Sequence, residues 1–485
     1  MAKTLFNSSD KSNFILNMTE EQFSKLASTG LVIAVMMPPL FTIIPEITAK
    51  ASYAFTAGGL VFGGVIAMII ALIGIMKKYL GKKNLFPVCT MGAMVLWGVF
   101  SLVRGCDTSI SLYGYPNRGE GLLAIIFYFC FFIAAASLKR ETAIKTIVNG
   151  VVGVGAINSI IALIQVFTGE LNHYNIVPVE EKIRAASGLA MSPLFLAMVL
   201  TLSLTAALVG FVTSENKKRR IVFVCSSALF SFVMMFTYSL IGFCGLAFAV
   251  IAAVAAVIAL KAPKKRLVCV PVSLISAAAA IALVFAGAIG NISSYRLYDG
   301  KILWWADSYR RASASGMYDP KVVDIDDTID VYAYLNRRTV KIIKNNALTG
   351  TGPDQLAYAL VNLTAEVDPN MTLEDFMISE VNKGTFDKVY NEYLYTAATR
   401  GVPSLIALVL TLGSAVVLGI AAWRRRKNAE AFTICALTLG GVLIFFIGCS
   451  SITFSPIFWT IAGAACAIIV TDKEKKAEKK LAKKK

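Results

Sequence analysis

The sequence predicts an all-α, polytopic membrane helix bundle of about twelve transmembrane helices, with one large helical extracellular loop between the ninth and the tenth. Three observations carry that prediction. Of 485 residues, 56% are hydrophobic and only 16% charged, whereas a soluble domain carries about 25% charged residues. The mean hydropathy is +0.67, and the apolar residues come in unbroken blocks rather than in a helical or strand rhythm. The basic residues, 47 against 30 acidic, gather after every second block. Too few charges remain to coat two or three soluble domains, and the hydrophobicity excludes a disordered chain.

The segment 1–29 is polar and mixed in charge, with no basic-then-apolar-then-small pattern, so no cleavable signal peptide is expected. Runs of about eighteen or more apolar residues read as membrane spans. Nine fall within 30–289, at 30–47, 55–76, 85–104, 121–138, 146–167, 189–213, 221–238, 240–260 and 267–289. Three more fall within 403–470, at 403–423, 431–449 and 456–470. Pro38, Pro39 and Pro45 make the first span irregular. The seventh and eighth nearly merge, which places a tight turn near Ser239.

Charge then orients the chain. Lys77–Lys83, Lys139–Lys145, Lys217–Arg220, Lys261–Arg266, Arg424–Lys427 and the lysine-rich tail 471–485 each follow an even-numbered span. By the positive-inside rule they lie in the cytoplasm, with both termini. More than half of the 47 basic residues sit in these clusters. The net charge of +17 therefore reports orientation and contact with anionic membrane lipids, not nucleic acid. Trp423 fits either an interfacial aromatic belt or simple packing.

Three outer loops are long enough to carry function: 105–120, 168–188 and 290–402. The last is slightly acidic and carries helix signals, so an ordered domain is expected there. Nine scattered cysteines, none in that loop, form no CxxC and no metal spacing. Cys106 and Cys449 fall at outer ends of spans, and a bond between them is the minority reading. The single histidine, His173, anchors no metal cluster, and no metal or organic cofactor is indicated.

Arg184, just before Ser187, Gly188 and the sixth span, is placed to hold a phosphate with its fork of donors, or simply to be solvated. In the large loop, Val331, Leu335 and Ile342 give an amphipathic rhythm, with Arg337, Arg338, Lys341 and Lys344 as a cationic face. The stretch Leu348-Thr-Gly-Thr-Gly-Pro-Asp354 reads as a turn into a helix at Gln355–Val361, whose first N–H groups could meet an anion or merely water. Thr372–Asp375 resembles a helix N-cap. Phe386–Arg400 reads as a helix closed by Gly401, with Asp387, Tyr390, Asn391 and Leu394 on one face.

These pieces follow one another as Gln165, Arg184 with Ser187-Gly188, Arg337-Arg338-Thr339, Gly350-Thr-Gly-Pro-Asp354, Asp387-Lys-Val-Tyr-Asn-Glu-Tyr-Leu394 and Arg400-Gly-Val-Pro-Ser404. In that order and spacing, over roughly 160–410, the chain resembles the O-antigen ligase and polymerase superfamily, especially its Gram-positive branch. The resemblance implies a metal-independent, inverting glycosyltransferase of the polytopic type, acting in cell-envelope polysaccharide biosynthesis. Its donor would be a polyprenyl-diphosphate-linked glycan and its acceptor a hydroxyl on a glycan or lipid. It assigns Arg184, Arg337 and Arg338 to the diphosphate, and Gly350, Gly352 and Asn391 to the substrate loop.

The sequence departs from the family twice. Tyr390 stands where the family carries its proposed histidine base, and a phenol, with a reference pKa of about 10, is a poor base near neutrality. Asp387 and Glu392 are the replacement candidates. Tyr332 occupies the position of a usual arginine, unless Arg337 substitutes from a turn away. Two alternatives stay open: a relative that binds lipid-linked glycan without transferring it, and a lipid-glycan transporter. The near absence of charge inside the spans, Glu46 at an outer end excepted, counts against transport.

Overall fold

The computed structural model describes residues 17–44, 53–115, 118–171, 185–288, 331–362, 388–467 and 469. Among them every regular element is a helix. Each of the apolar blocks contains one. In chain order they are α1 Glu20–Phe41, α2 Tyr53–Met76, α3 Lys82–Leu102, the short α4 Thr108–Tyr113, α5 Leu122–Ala136, α6 Glu141–Thr168, α7 Pro193–Thr213 and α8 Lys217–Met235. They continue with α9 Leu240–Ala259, α10 Cys269–Phe285, α11 Val331–Asn345, α12 Leu356–Asn362, α13 Glu392–Arg426, α14 Ala429–Ile444 and α15 Ser455–Cys466. Eight helices are long and apolar enough to cross a membrane, while α5, α14 and α15 are shorter apolar helices. The chain is thus a helical, multi-pass membrane bundle.

The start of α1 differs from expectation for a local reason. Helix α1 starts ten residues before the apolar block, inside the polar segment. A capping box sets that start: Gln22 N donates to Thr19 Oγ1 (3.2 Å) and Thr19 N donates to Gln22 Oε1 (2.9 Å). The helix also runs through Pro38 and Pro39 unbroken. Proline at 38 removes the donor that Ala34 O would receive, and that carbonyl lies against Gly63 of α2. A Cβ on Gly63 would fall 2.3 Å from Ala34 O, and one on Gly59 2.7 Å from Met37 O. The pair Gly59 and Gly63 is therefore the small-residue seam that lets α1 and α2 meet backbone to backbone. The expected turn at Ser239 is present, with Ser239 Oγ capping α9 through Gly242 N at 3.2 Å.

Helix α7 is the axis of the bundle, with nearly every side chain buried. It packs on α6, α8, α9 and α14. Its hydroxyls are satisfied within the bundle: Thr201 and Thr205 donate to carbonyls one turn back, and Ser203 to Val151 O of α6 at 2.9 Å.

Hydrogen bonds define two ends. At one, the basic clusters meet neighbouring helix ends: Lys77 on Met18 O, Arg219 on Asn149, Arg266 on Glu215 and Val212 O, Arg425 on Ile469 O. The other end holds the Gly350–Asp354 turn and the start of α13. Helix α11 packs there on α13 and α12.

Candidate functional site

The polar end is organised around α13. Its start is fixed by Asn391, whose Oδ1 accepts from Tyr393 N (3.0 Å) and Leu394 N (3.1 Å). The helix therefore begins at Glu392, not at Phe386. Lys388 to Tyr390 precede it in non-helical chain, so the single face expected for Tyr390, Asn391 and Leu394 does not form. Nine residues on, Gly401 has φ +82° and breaks the α13 ladder ahead of Pro403.

That break receives the Gly350–Asp354 turn. Thr351 N donates to Ala398 O and Gly352 N to Thr399 O, both at 2.9 Å, and Val402 N donates to Ala347 O at 2.7 Å. The contact tolerates no side chains. A Cβ on Gly350 would lie 2.4 Å from Thr399 C, and one on Gly401 2.2 Å from Leu348 O. Two motifs some fifty residues apart in sequence are thus one packed joint. Gln355 N bonds back to Gly352 O. The Gln355 side chain is occupied by Cys106 N (2.7 Å), Ser111 Oγ (2.6 Å) and Asp107 O.

Beneath the joint lies a buried charged network. Asp354 accepts from Tyr115 N (2.7 Å), Glu120 N (3.2 Å) and the Tyr395 hydroxyl. Glu120 accepts from Tyr128 Oη (2.9 Å), Ser450 Oγ (3.2 Å) and Lys388 Nζ. Lys388 also donates to Ser450 O (2.9 Å) and sits 4.9 Å from the Tyr395 ring centre. Glu392 accepts from Ser450 N (2.8 Å), Thr396 Oγ1 (3.2 Å) and Arg400 (3.2 Å). Three carboxylates face two cations, and Arg118 is near enough to repel the Lys388 ammonium. Burial, the largest influence on Lys388, lowers its pKa to about 8.

The network encloses a cavity of ≈ 20 Å³ among Glu120, Tyr128, Asp354, Glu392, Tyr395 and Arg400. That is room for about one water and for no sugar. Its other product is a fixed loop. The segment Ser450–Thr453, between α14 and α15, is buried yet non-helical. Buried backbone outside a helix needs protein partners for its N–H and C=O groups. Here Glu392, Lys388 and Ser455 bond its backbone, and Thr453 Oγ1 reaches Ala190 O at 3.2 Å.

The remaining candidates are placed as follows. Arg184, Asp387, His173 and Thr372–Asp375 lie outside the described residues. Tyr390 is half-buried beside the network and packs against the core. On α11, Arg337 is exposed, Arg338 half-buried and Thr339 buried. Gln165 closes the ends of the 168–188 loop: its Oε1 accepts from Ser187 N (3.0 Å) and Gly188 N (2.7 Å), and its Nε2 donates to Leu171 O (2.7 Å) and Gly188 O (3.0 Å). Cys106 is exposed and Cys449 buried, and no disulfide joins them.

Sequence reasoning missed Glu120 and Lys388. The available signal was a charged residue, flanked by Gly119 and Gly121, directly before an apolar block. Its partner of opposite sign lies 268 positions away. Neither a protein-family model nor a curated protein matches the chain.

Proposed function

We propose that the protein is a membrane glycosyltransferase that moves a glycan from a polyprenyl-diphosphate donor to an acceptor hydroxyl at the polar end of the bundle. One observation supports this reading above the others. The Gly350–Asp354 turn, the Asn391–Leu394 helix start and the Arg400–Ser404 break, which carry the resemblance to O-antigen ligases and polymerases, converge on a single joint. In this reading all twelve apolar helices cross the membrane, both termini are cytoplasmic and the polar end is extracellular. The gathering of basic residues at the opposite end favours that orientation.

In the proposed reaction the acceptor oxygen attacks the anomeric carbon, the bond from that carbon to the phosphate oxygen breaks, and polyprenyl diphosphate leaves. Arg184, Arg337 and Arg338 stabilise the charge that develops on the phosphate oxygens. The acceptor proton passes to the Asp387 carboxylate, with Tyr390 at the position of the family's histidine. Glu392 serves as scaffold instead, because Arg400, Thr396 and Ser450 N already occupy its carboxylate. With space for about one water, the buried network underlies the reaction site rather than containing it.

The test is transfer from a radiolabelled polyprenyl-diphosphate oligosaccharide in reconstituted vesicles. Arg184→Ala and Arg338→Ala should each lower the rate at least tenfold. Unchanged transfer in both would overturn the arginine assignment. A second reading, a protein that binds lipid-linked glycan without transferring it, is favoured by Tyr390 at the histidine position. Binding without turnover in the wild type and in Tyr390→His and Tyr390→Phe would establish it.

A further inference from the structure

The 105–120 loop carries a cation that the proposed transfer does not use. Its end is built to hold that side chain in place. Asp354 Oδ2 accepts from Tyr115 N at 2.7 Å and from Glu120 N at 3.2 Å, so one carboxylate oxygen ties both ends of a turn. Tyr115 O in its turn accepts from Arg118 N (2.8 Å) and Gly119 N (2.9 Å). The neck is backbone against backbone: a Cβ on Gly114 would lie 2.2 Å from Glu120 N, and one on Gly121 2.4 Å from Gly114 N. Between Tyr115 and Glu120 the sequence has a single charged residue, Arg118.

Arg118 is half-buried, with its guanidinium carbon 5.9 Å from the centre of the Phe195 ring. Phe195 is buried in the first turn of α7, where Ser192 Oγ accepts from its N–H at 3.2 Å. A guanidinium held on a ring by cation–π attraction has little freedom left to lose when its fork of donors meets a second group. Arg118 is also close enough to Lys388 to disfavour the charge of that ammonium. Two neighbouring cations raise the local positive potential and favour an anion there. The place of Arg118 says which anion. Helix α7 is entered from the 185–192 segment, which directly follows Arg184 in the chain. The Asp354 that closes the turn belongs to the Gly350–Asp354 motif. Arg118 is thus tied to both stretches on which the resemblance to diphosphate-using enzymes rests.

We propose that Arg118, in the turn closed by Asp354, binds the diphosphate group of the polyprenyl donor. Its fork meets two phosphate oxygens at once, as guanidinium groups do. The inference rests on the transfer reading and adds to it a substrate-binding residue on a third outer loop.

The test is binding of a fluorescent polyprenyl diphosphate, and of the matching polyprenol, to the full-length protein in phosphatidylcholine nanodiscs. The wild type should bind the diphosphate more tightly than the polyprenol. R118A should weaken diphosphate binding about tenfold to a hundredfold, the effect of losing charge-assisted hydrogen bonds, and leave polyprenol binding unchanged. R118K keeps the charge without the fork and should recover only part of the loss. Wild-type preference that survives R118A would overturn this inference alone. So would an equal loss for diphosphate and polyprenol, which would make Arg118 a support for the loop. Displacement of the diphosphate from the wild type by phosphatidylglycerol at the same mole fraction would overturn it as well, by making the site one for any anionic headgroup. A wild type that binds both lipids alike would bring down the transfer reading and this inference together.

Discussion

Removing the Lys388 ammonium gives the sharpest test of the buried network. In Lys388→Met the aliphatic stem is nearly replaced, so packing changes little. The Glu120 carboxylate keeps Tyr128 and Ser450 as donors but loses its cation. Stranding one half of a buried ion pair costs about 3–5 kcal/mol. The Lys388 bond to Ser450 O adds about 1 kcal/mol. A loss of roughly 4–6 kcal/mol is expected, followed as unfolding in mixed detergent micelles by tryptophan fluorescence. Glu120→Gln in the same chain removes the stranded charge, and its amide oxygen still accepts from Tyr128. The double variant should therefore be more stable than Lys388→Met alone, with a coupling of about 2–3 kcal/mol. If Lys388→Met unfolds within 1 kcal/mol of the wild type, or if the two changes simply add, the pair does not hold this end together.

Two further substitutions probe the joints around the network. Gly401→Ala places a methyl against Leu348 O at a φ of +82°, so it should cost about 1–3 kcal/mol and speed hydrogen exchange across 331–349; unchanged exchange would show that the break in α13 does not hold that segment. Gln165→Leu strands the N–H groups of Ser187 and Gly188, at about 1–3 kcal/mol each, and should accelerate proteolysis between 168 and 188. Equal cleavage rates would mean that the loop is closed by other contacts.

The helices were legible because apolar blocks and caps are local. Asn391, Ser239 and the Thr19–Gln22 box act within four residues of themselves, and every apolar block holds its helix. The polar end was only half legible. Gly350, Gly352, Asp354, Arg400 and Gly401 stand out as a motif, yet nothing local says that the turn bonds Ala398 and Thr399 rather than a ligand. The scarcity of charge inside the apolar blocks is also a partial description. It holds along α7, while at one end five charged side chains are buried against each other. Pairing of that kind depends on which helix ends adjoin, and no periodicity encodes it. Glu392 shows the consequence: its type suggested a base, and its position makes it a support for the Ser450–Thr453 segment.

The Glu120–Lys388 pair also constrains the birth of the protein. Its partners are separated by 268 residues, and at about 5–20 residues per second the ribosome needs roughly ten seconds to a minute to bridge them. Throughout that interval α5 is already made while the lysine that completes its end does not exist. Asp354 waits likewise for Tyr395. The nascent bundle must therefore keep a wet, unfinished end, guarded by water or by the insertion machinery, until α13 emerges. Assembly is in this sense closed from its last third, and a chain truncated before Lys388 leaves Glu120 without its cation for good.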